Sequence, residues 1–250
     1  MDSLYKDIPI LEPRPFSWEA SRLLPIEECG EPLVPASLIP EKILARPQYF
    51  LHRIEGAVAE CYVRKTVLAR LLEAASLLPP GYRFVLFDAW RPRQVQTALF
   101  QRFRFELREK MPLLDDQEIT TLATQFVSPP SLNPLSPSPH VTGGAVDLTL
   151  VGPTGLCIPM GTSFDETTDR SVTDYFERKL LSKEKMDGTE MEFLLNRRVL
   201  HGVMSRAGFT NYPEEWWHYE YGNQNWALLK GERKAIYGVA EPVFRWSHSL

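Results

Sequence analysis

Three residues in this chain of 250 could bind a metal if the fold brings them together. They are His140 and Asp147, in SPHVTGGAVDLTL (138–150), and His218, in WWHYEYG (216–222). Asp147 stands amid Val146, Leu148 and Leu150, where an unpaired carboxylate would be costly to bury. In an extended strand Ala145, Asp147 and Thr149 share one face while Val146, Leu148 and Leu150 take the other. Asp147 is therefore expected to point into a cleft. Gly143 and Gly144 permit a tight turn that folds His140 back beside it. His218 shares a strand face with Trp216, leaving Trp217 and Tyr219 opposite. Two neutral imidazoles and one carboxylate, with bonds of about 2.0–2.2 Å and a fourth position open to water, suit a catalytic Zn²⁺. The ion's charge also offsets the burial of Asp147. Glu215, three residues before His218, is then placed to act as general base toward that water. Strict alternation puts Glu215 on the wrong face, so the strand is expected to begin at about Trp216, with Glu215 in the turn after Pro213.

Taken singly, each residue has an ordinary reading: His140 in a loop, His218 in an aromatic core, Asp147 as a cap. The combination of H-x6-D with a distant E-x-x-H sets them apart. His52 and His248 have no such context, and His201 sits inside a helix as a structural residue.

The elements that must position these residues follow from periodicity. Residues 1–40 are rich in proline and weakly periodic, an extended arm laid on the domain. From about Ala57 to Leu78, Val63, Val67, Leu71, Leu72, Ala75 and Leu78 recur at helical spacing, and Pro79, Pro80 and Gly81 stop that helix. FVLFDAW (84–90) is a core strand, and Pro92 opens a helix carrying Val95, Leu99, Phe103 and Leu107 on one face. Asp115–Phe126 is a further short helix. SPPSLNPLSPSP (128–139), with five prolines, is an ordered loop or a flap. AVDLTL (145–150) is a strand, and 151–188 is irregular with a short helix around Val172–Leu180. Thr189 and Glu192 form a capping box for a helix carrying Leu194, Leu195, Val199, Val203 and Met204, which Gly208 ends. WWHYEYG is an aromatic strand, and the last 25 or so residues add a strand or an arm. Interspersed helices and strands joined by proline-rich connections point to α+β, a central antiparallel sheet flanked by helices, in a single domain spanning 1–250.

Composition narrows the partners. With 44% hydrophobic and 24% charged residues the chain is ordinary globular material. A net charge of −4 gives no basic footprint for nucleic acid. No apolar run approaches the roughly 20 residues that span a bilayer. MDSLYKDIPILEPRPF has no apolar h-region, so no signal peptide is expected. Cys29, Cys61 and Cys157 are widely separated and read as reduced thiols of a cytoplasmic protein.

SPHVTGGAVDLTL resembles the S-x-H-x-x-G-x-A-x-D motif of zinc D-alanyl-D-alanine dipeptidases of the VanX type, in peptidase family M15. PEEWWHYEYG resembles their E-x-W-H motif, FDAWRP their arginine-bearing strand end, and MGTSFDE a further family segment. These matches run in the family's order from about Phe84 to Gly222. The first two motifs alone also fit zinc carboxypeptidases and endopeptidases of bacterial cell-wall peptides. The resemblance implies that His140, Asp147 and His218 bind one Zn²⁺, that Glu215 is the catalytic base, and that Arg91 stabilises charge developing on the scissile carbonyl. An always-charged guanidinium fixed beside Pro92 suits that role. The other reading of Arg91 is a surface arginine paired with Asp88. The resemblance also assigns Ser138 and Asp165 to substrate binding, Asp165 pairing with a free ammonium terminus. Alternatively, Asp165 caps a helix starting near Glu166.

The expected activity is hydrolysis of D-Ala-D-Ala or a similar small dipeptide by a cytoplasmic monomer or weak homo-oligomer, in a cramped pocket that excludes longer peptides. Two alternatives stand. One is a carboxypeptidase or endopeptidase on peptidoglycan stem peptides, which needs an open groove. The other is a non-catalytic zinc-binding module, which would be free to lose Glu215 and Arg91.

Overall fold

Alternation along one strand decides how the sheet is covered. The computed structural model describes residues 4–11, 15–124 and 127–243. Its strands are β1 (Leu33–Pro35), β2 (Ile43–Ala45), β3 (Tyr62–Arg64), β4 (Arg83–Asp88), β5 (Ala145–Val151), β6 (Thr210–Asn211) and β7 (His218–Glu220). Its helices are α1 (Trp18–Arg22), α2 (Gln48–Leu51), α3 (Lys65–Ser76), α4 (Arg93–Lys110), α5 (Asp116–Ala123), α6 (Tyr175–Leu181), α7 (Gly188–Arg206) and α8 (Gln224–Lys230). Five strands form one sheet in the order β2-β4-β5-β7-β6, antiparallel except for the β2–β4 pair, and β1 and β3 form a separate ribbon. The architecture is the expected α+β.

Register places Phe84 opposite Leu150 and Leu86 opposite Leu148, so these residues share a face with Val146. Val67 and Leu71 of α3 and Val199 and Val203 of α7 bury that face. Each such side chain, fully removed from water, contributes about 1.5–3 kcal/mol. The opposite face carries the polar row. Asp147 pairs with Asp88 on one side and His218 on the other, so three adjacent strands deliver three titratable groups to one place. A register shift between Leu86 and Asp88 re-aims Asp88 into that row.

The structure moves several boundaries. The helix expected from Ala57 begins at Lys65, because Tyr62–Arg64 is claimed by pairing with Leu33–Pro35. Helix α7 is capped at Asp187, which accepts from the Glu190 amide, rather than at Thr189; the same acidic x-x-Glu spacing lies two residues earlier. Asp115 and Glu118 make the capping box of α5, which ends at Ala123; Phe126 lies outside the described residues. The aromatic strand is only His218–Glu220, with Trp216 and Trp217 in the turn before it. After it comes α8, whose N-cap is Asn223, and no strand follows among the described residues. The arm expected over 1–40 carries α1 and β1 where described. Finally, the stripe predicted for α4 divides: Val95 and Leu107 are buried, while Leu99 and Phe103 line a cleft. Phe100 and Leu107 instead build a small second core with Ile119 and Ala123 of α5.

Candidate metal centre and catalytic cleft

His140 sits in a single 3-10 turn, Pro139–Thr142, closed by Gly143 at φ +70°. A side chain is excluded at Gly144, where a Cβ would lie 2.5 Å from the Tyr221 carbonyl oxygen. The predicted fold-back is therefore the observed one. Buried Arg64 locks it, donating to the Thr142 carbonyl at 2.8 Å and to Glu28 at 2.8 Å.

The ring nitrogens of both histidines are assigned by their outer partners. His140 Nδ1 donates to the Ala89 carbonyl at 2.7 Å, since a carbonyl can only accept, which leaves a lone pair on Nε2 in the neutral ring. His218 Nε2 donates to Glu220 Oε1 at 2.6 Å, which turns Nδ1 inward. His218 Nδ1 lies 3.2 Å from His140 Nε2 and 2.9 Å from Asp147 Oδ1, and His140 Nε2 lies 3.4 Å from Asp147 Oδ2. Candidate donor atoms from these three buried residues all fall within 4.8 Å of one another. Three donors this close together could hold one metal ion.

Electrostatics agree. Burial pulls His140 down to about 3, with Asp147 opposing, so its ring is neutral and free to ligate. Burial also works to lower His218, but its hydrogen bonds to Asp147 and Glu220 outweigh it and hold the ring well above its ordinary value. Without a metal, a proton occupies the His218–Asp147 contact; metal binding would release it. Burial raises Asp147, but His140, His218 and Arg91 together hold it below the ordinary carboxylate value. Glu220 is itself gripped by Asn225 at 2.9 Å, and Asn225 accepts from Ser21 of α1 at 2.5 Å. The N-terminal segment thus reaches the outer side of the centre.

Arg91 lies between the elements. Its Nε donates to Asp88 at 2.7 Å and Nη1 to Gln96 at 2.7 Å, while Nη2 makes long contacts to Tyr49 at 3.3 Å and Asp147 at 3.5 Å. The Asp88 pairing is thus present, and it aims the guanidinium at the cleft. Burial pushes Asp88 up to about 7, Arg91 opposing and Asp147 reinforcing. Glu215 stands in the turn after Pro213, as expected, with Oε2 3.8 Å from His218 Nδ1. Its side chain is 38% exposed to the cleft, yet removal from bulk water raises it to about 7, with His218 opposing and Asp147 and Asp165 reinforcing. A divalent cation beside it would pull that value down.

Asp165 adopts φ +65°, a strained setting for a non-glycine residue, and accepts from the Tyr49 hydroxyl at 3.1 Å. No helix starts at Glu166, so the capping reading of Asp165 is not what the fold uses. Burial raises its pKa. Buried Arg197 holds this loop by donating to the carbonyls of Met160, Arg170 and Val172. Ser138 precedes the His140 turn and lines the cleft.

Trp217 lines the same cleft as His218, contrary to the strand alternation expected of it, because it lies in a turn. His52 also reaches the cleft. Tyr49, Gln96 and Glu220 were not singled out from sequence. Glu220 had a usable signal: it lies two residues beyond His218 on the same strand face. The cleft has a volume of about 540 Å³ and opens to solvent.

A family model described as D-ala-D-ala dipeptidase, peptidase M15, matches residues 48–233. A D-alanyl-D-alanine dipeptidase of Synechocystis sp. is 30% identical over 235 residues, covering 87% of this chain and 95% of the relative. A D-alanyl-D-alanine dipeptidase of Escherichia coli is 28% identical over 163 residues, 65% of this chain and 67% of the relative. A crystal structure of the vancomycin-resistance D,D-pentapeptidase VanY in complex with Zn(II) is a loose likeness, with TM-score 0.41 and 15% identity over 88% of this chain and 97% of that one.

Proposed function

The chain belongs to the D-ala-D-ala dipeptidase family of peptidase M15, and from that premise we propose that it is a zinc dipeptidase hydrolysing D-Ala-D-Ala or a similar small D-amino-acid dipeptide. The observation that carries the reading is the convergence of His140, Asp147 and His218 within 4.8 Å. Two imidazoles and a carboxylate with an open position form the donor set of a catalytic zinc. When bound, Zn²⁺ would lower the pKa of a water and polarise the scissile carbonyl.

The remaining work falls to the chain's own residues. Glu215, open to the cleft, accepts the proton of the attacking water and delivers it to the leaving amine nitrogen. Arg91 meets the oxyanion developing on the carbonyl; Nη2, whose contacts to Tyr49 and Asp147 are long, is the donor that turns toward it. Asp165, positioned by Tyr49, receives the substrate ammonium, and Ser138, lining the same cleft, helps hold the substrate. Water enters and two amino acids leave. Around the metal centre the carboxylates of Asp88, Asp147, Asp165 and Glu215 outnumber the guanidinium of Arg91, an excess of negative charge that favours a divalent cation.

The proposal treats 1–250 as one domain acting as a monomer or weak homo-oligomer. Among the described residues no helix is long and apolar enough to cross a membrane. A cytoplasmic setting is supported by the exposed free thiols of Cys29 and Cys157. Hydrolysis of a panel of D,D-, L,D- and L,L-dipeptides by zinc-loaded protein tests the activity. D,D turnover with little L,L turnover is expected; no turnover of any dipeptide refutes it.

A further inference from the structure

The three ligands are not held alike. Asp147 stands within β5, a seven-residue strand paired on both sides, so the sheet itself aims its carboxylate. The imidazoles sit on short elements: His140 in a single 3-10 turn, His218 at the start of the three-residue β7. Their aim has to be fixed from outside those elements, and for both it comes from one segment. On one side, Ser21 of α1 donates its hydroxyl to Asn225 Oδ1 at 2.5 Å. With that oxygen engaged, the Asn225 amide turns Nδ2 to Glu220 Oε1, the acceptor of His218 Nε2. On the other side, Glu28 takes both terminal nitrogens of buried Arg64, at 2.9 and 2.8 Å, as a bidentate pair. Arg64 in turn donates Nε to the Thr142 carbonyl and its backbone amide to the Gly143 carbonyl, across the end of the His140 turn. Between Ser21 and Glu28 the segment is pinned to the body of the fold. The Leu24 carbonyl accepts from Gln224 at 2.6 Å, the Pro25 carbonyl accepts from the Ala235 amide at 2.9 Å, and the Glu27 amide donates to the Ala235 carbonyl at 2.9 Å. All of these segment residues precede the stretch 48–233 that the family model matches.

We propose that the segment 21–28 is a brace for the metal centre, in which Ser21 and Glu28 are positioning residues that aim His218 and His140 at one ion and so set its affinity. The inference rests on the zinc reading of the same centre. Both residues stand behind the ligands, and each acts through one histidine. The two paths are separate, one running through Asn225 and Glu220, the other through Arg64 and the turn carbonyls, so their contributions multiply. Loss of either leaves the donor set complete but frees one imidazole to leave the direction its lone pair needs. Binding then has to re-order that ring, which costs affinity.

The test measures the zinc affinity of the full chain by competition with a chromogenic chelator, at a temperature where circular dichroism shows each metal-free variant folded. Ser21→Ala removes one oxygen and adds no volume; Glu28→Gln changes a side chain 38% exposed and keeps an acceptor for Arg64. Each is expected to weaken zinc about three- to tenfold, below the 10–100-fold of direct outer partners. The two together are expected to weaken it by the product of the single losses. Ser21→Ala added to Glu220→Gln loses less than the product, because those residues share one path. Val67→Ala, in the core under α3, is the control for stability alone: it lowers the Tm and leaves zinc affinity unchanged. Unchanged zinc affinity in either folded brace variant, or an equal loss in Val67→Ala, overturns the brace and leaves the zinc reading standing. A wild-type chain that binds no zinc removes that reading and this inference together.

Discussion

Replacing Glu220 by glutamine isolates one charge behind the metal centre. The side chain is 2% exposed, and its Oε1 accepts from His218 Nε2 at 2.6 Å and from Asn225 at 2.9 Å. Because Asn225 can only donate there through its amide nitrogen, the glutamine oxygen is held in the same place, and both hydrogen bonds survive with a neutral acceptor. A hydrogen bond to a charged group contributes about 1.5–3 kcal/mol and a neutral one about 0.5–1.5. The loss is therefore about 1–1.5 kcal/mol in the basicity that His218 offers a metal, or roughly tenfold in metal affinity. That lies at the low end of the 10–100-fold range for such outer partners. Oε2 has no hydrogen-bond partner among the described residues, so the new amide NH₂ is buried without an acceptor there and costs stability as well. The two effects separate experimentally: zinc affinity by competition with a chromogenic chelator, stability by thermal melting of metal-free protein. Glu220→Gln is expected to weaken zinc about tenfold and to lower the metal-free Tm. Unchanged zinc affinity with a lowered Tm would refute the argument that Glu220 acts through His218.

Other consequences follow from the same geometry. Glu215→Gln is expected to keep zinc and the fold while lowering kcat by about 10²–10⁴, read as dipeptide turnover alongside metal content; full activity rules out Glu215 as the base. Burial holds His201 down at about 4, with Glu177 opposing, while the unfolded chain titrates near 6.5. Between those values the unfolded state binds the extra proton, so His201 costs stability as pH falls from 6.5 toward 4. Discounted for partial exposure, that is about 1–2 kcal/mol at pH 5. His201→Asn is thus expected to gain on the wild type by that amount between pH 7.5 and pH 5 in denaturant melts, and a pH-independent difference contradicts the burial argument.

What the sequence revealed and what it hid divide along physical lines. The placement of His140, Asp147 and Glu215 was legible because local chemistry dictates it: glycines force the turn before β5, alternation turns Asp147 off the apolar face, and Pro213 keeps Glu215 out of the strand. The start of α3 was not legible, because helical spacing continues back through Val63 while pairing with β1, decided thirty residues away, claims Tyr62–Arg64. Trp217 was misplaced for a similar reason: a turn two residues long reverses the face that alternation assigns. Asp165 was recognisable by type, but its left-handed backbone and its tie to Tyr49 arise from tertiary packing around Arg197. The wall that α4 gives the cleft was least accessible of all. It depends on α4 sharing its apolar residues between the α5 contact and the cleft wall, a division that a single periodic stripe does not reveal.

The central claim is that positions 140, 147 and 218 hold one catalytic zinc, and the most direct measurement is dipeptide hydrolysis as zinc is titrated back into metal-stripped protein. Activity is predicted to be absent at the start and to rise linearly to a break at one equivalent per chain. Hydrolysis by the stripped protein, or zinc uptake that brings no turnover, would contradict it.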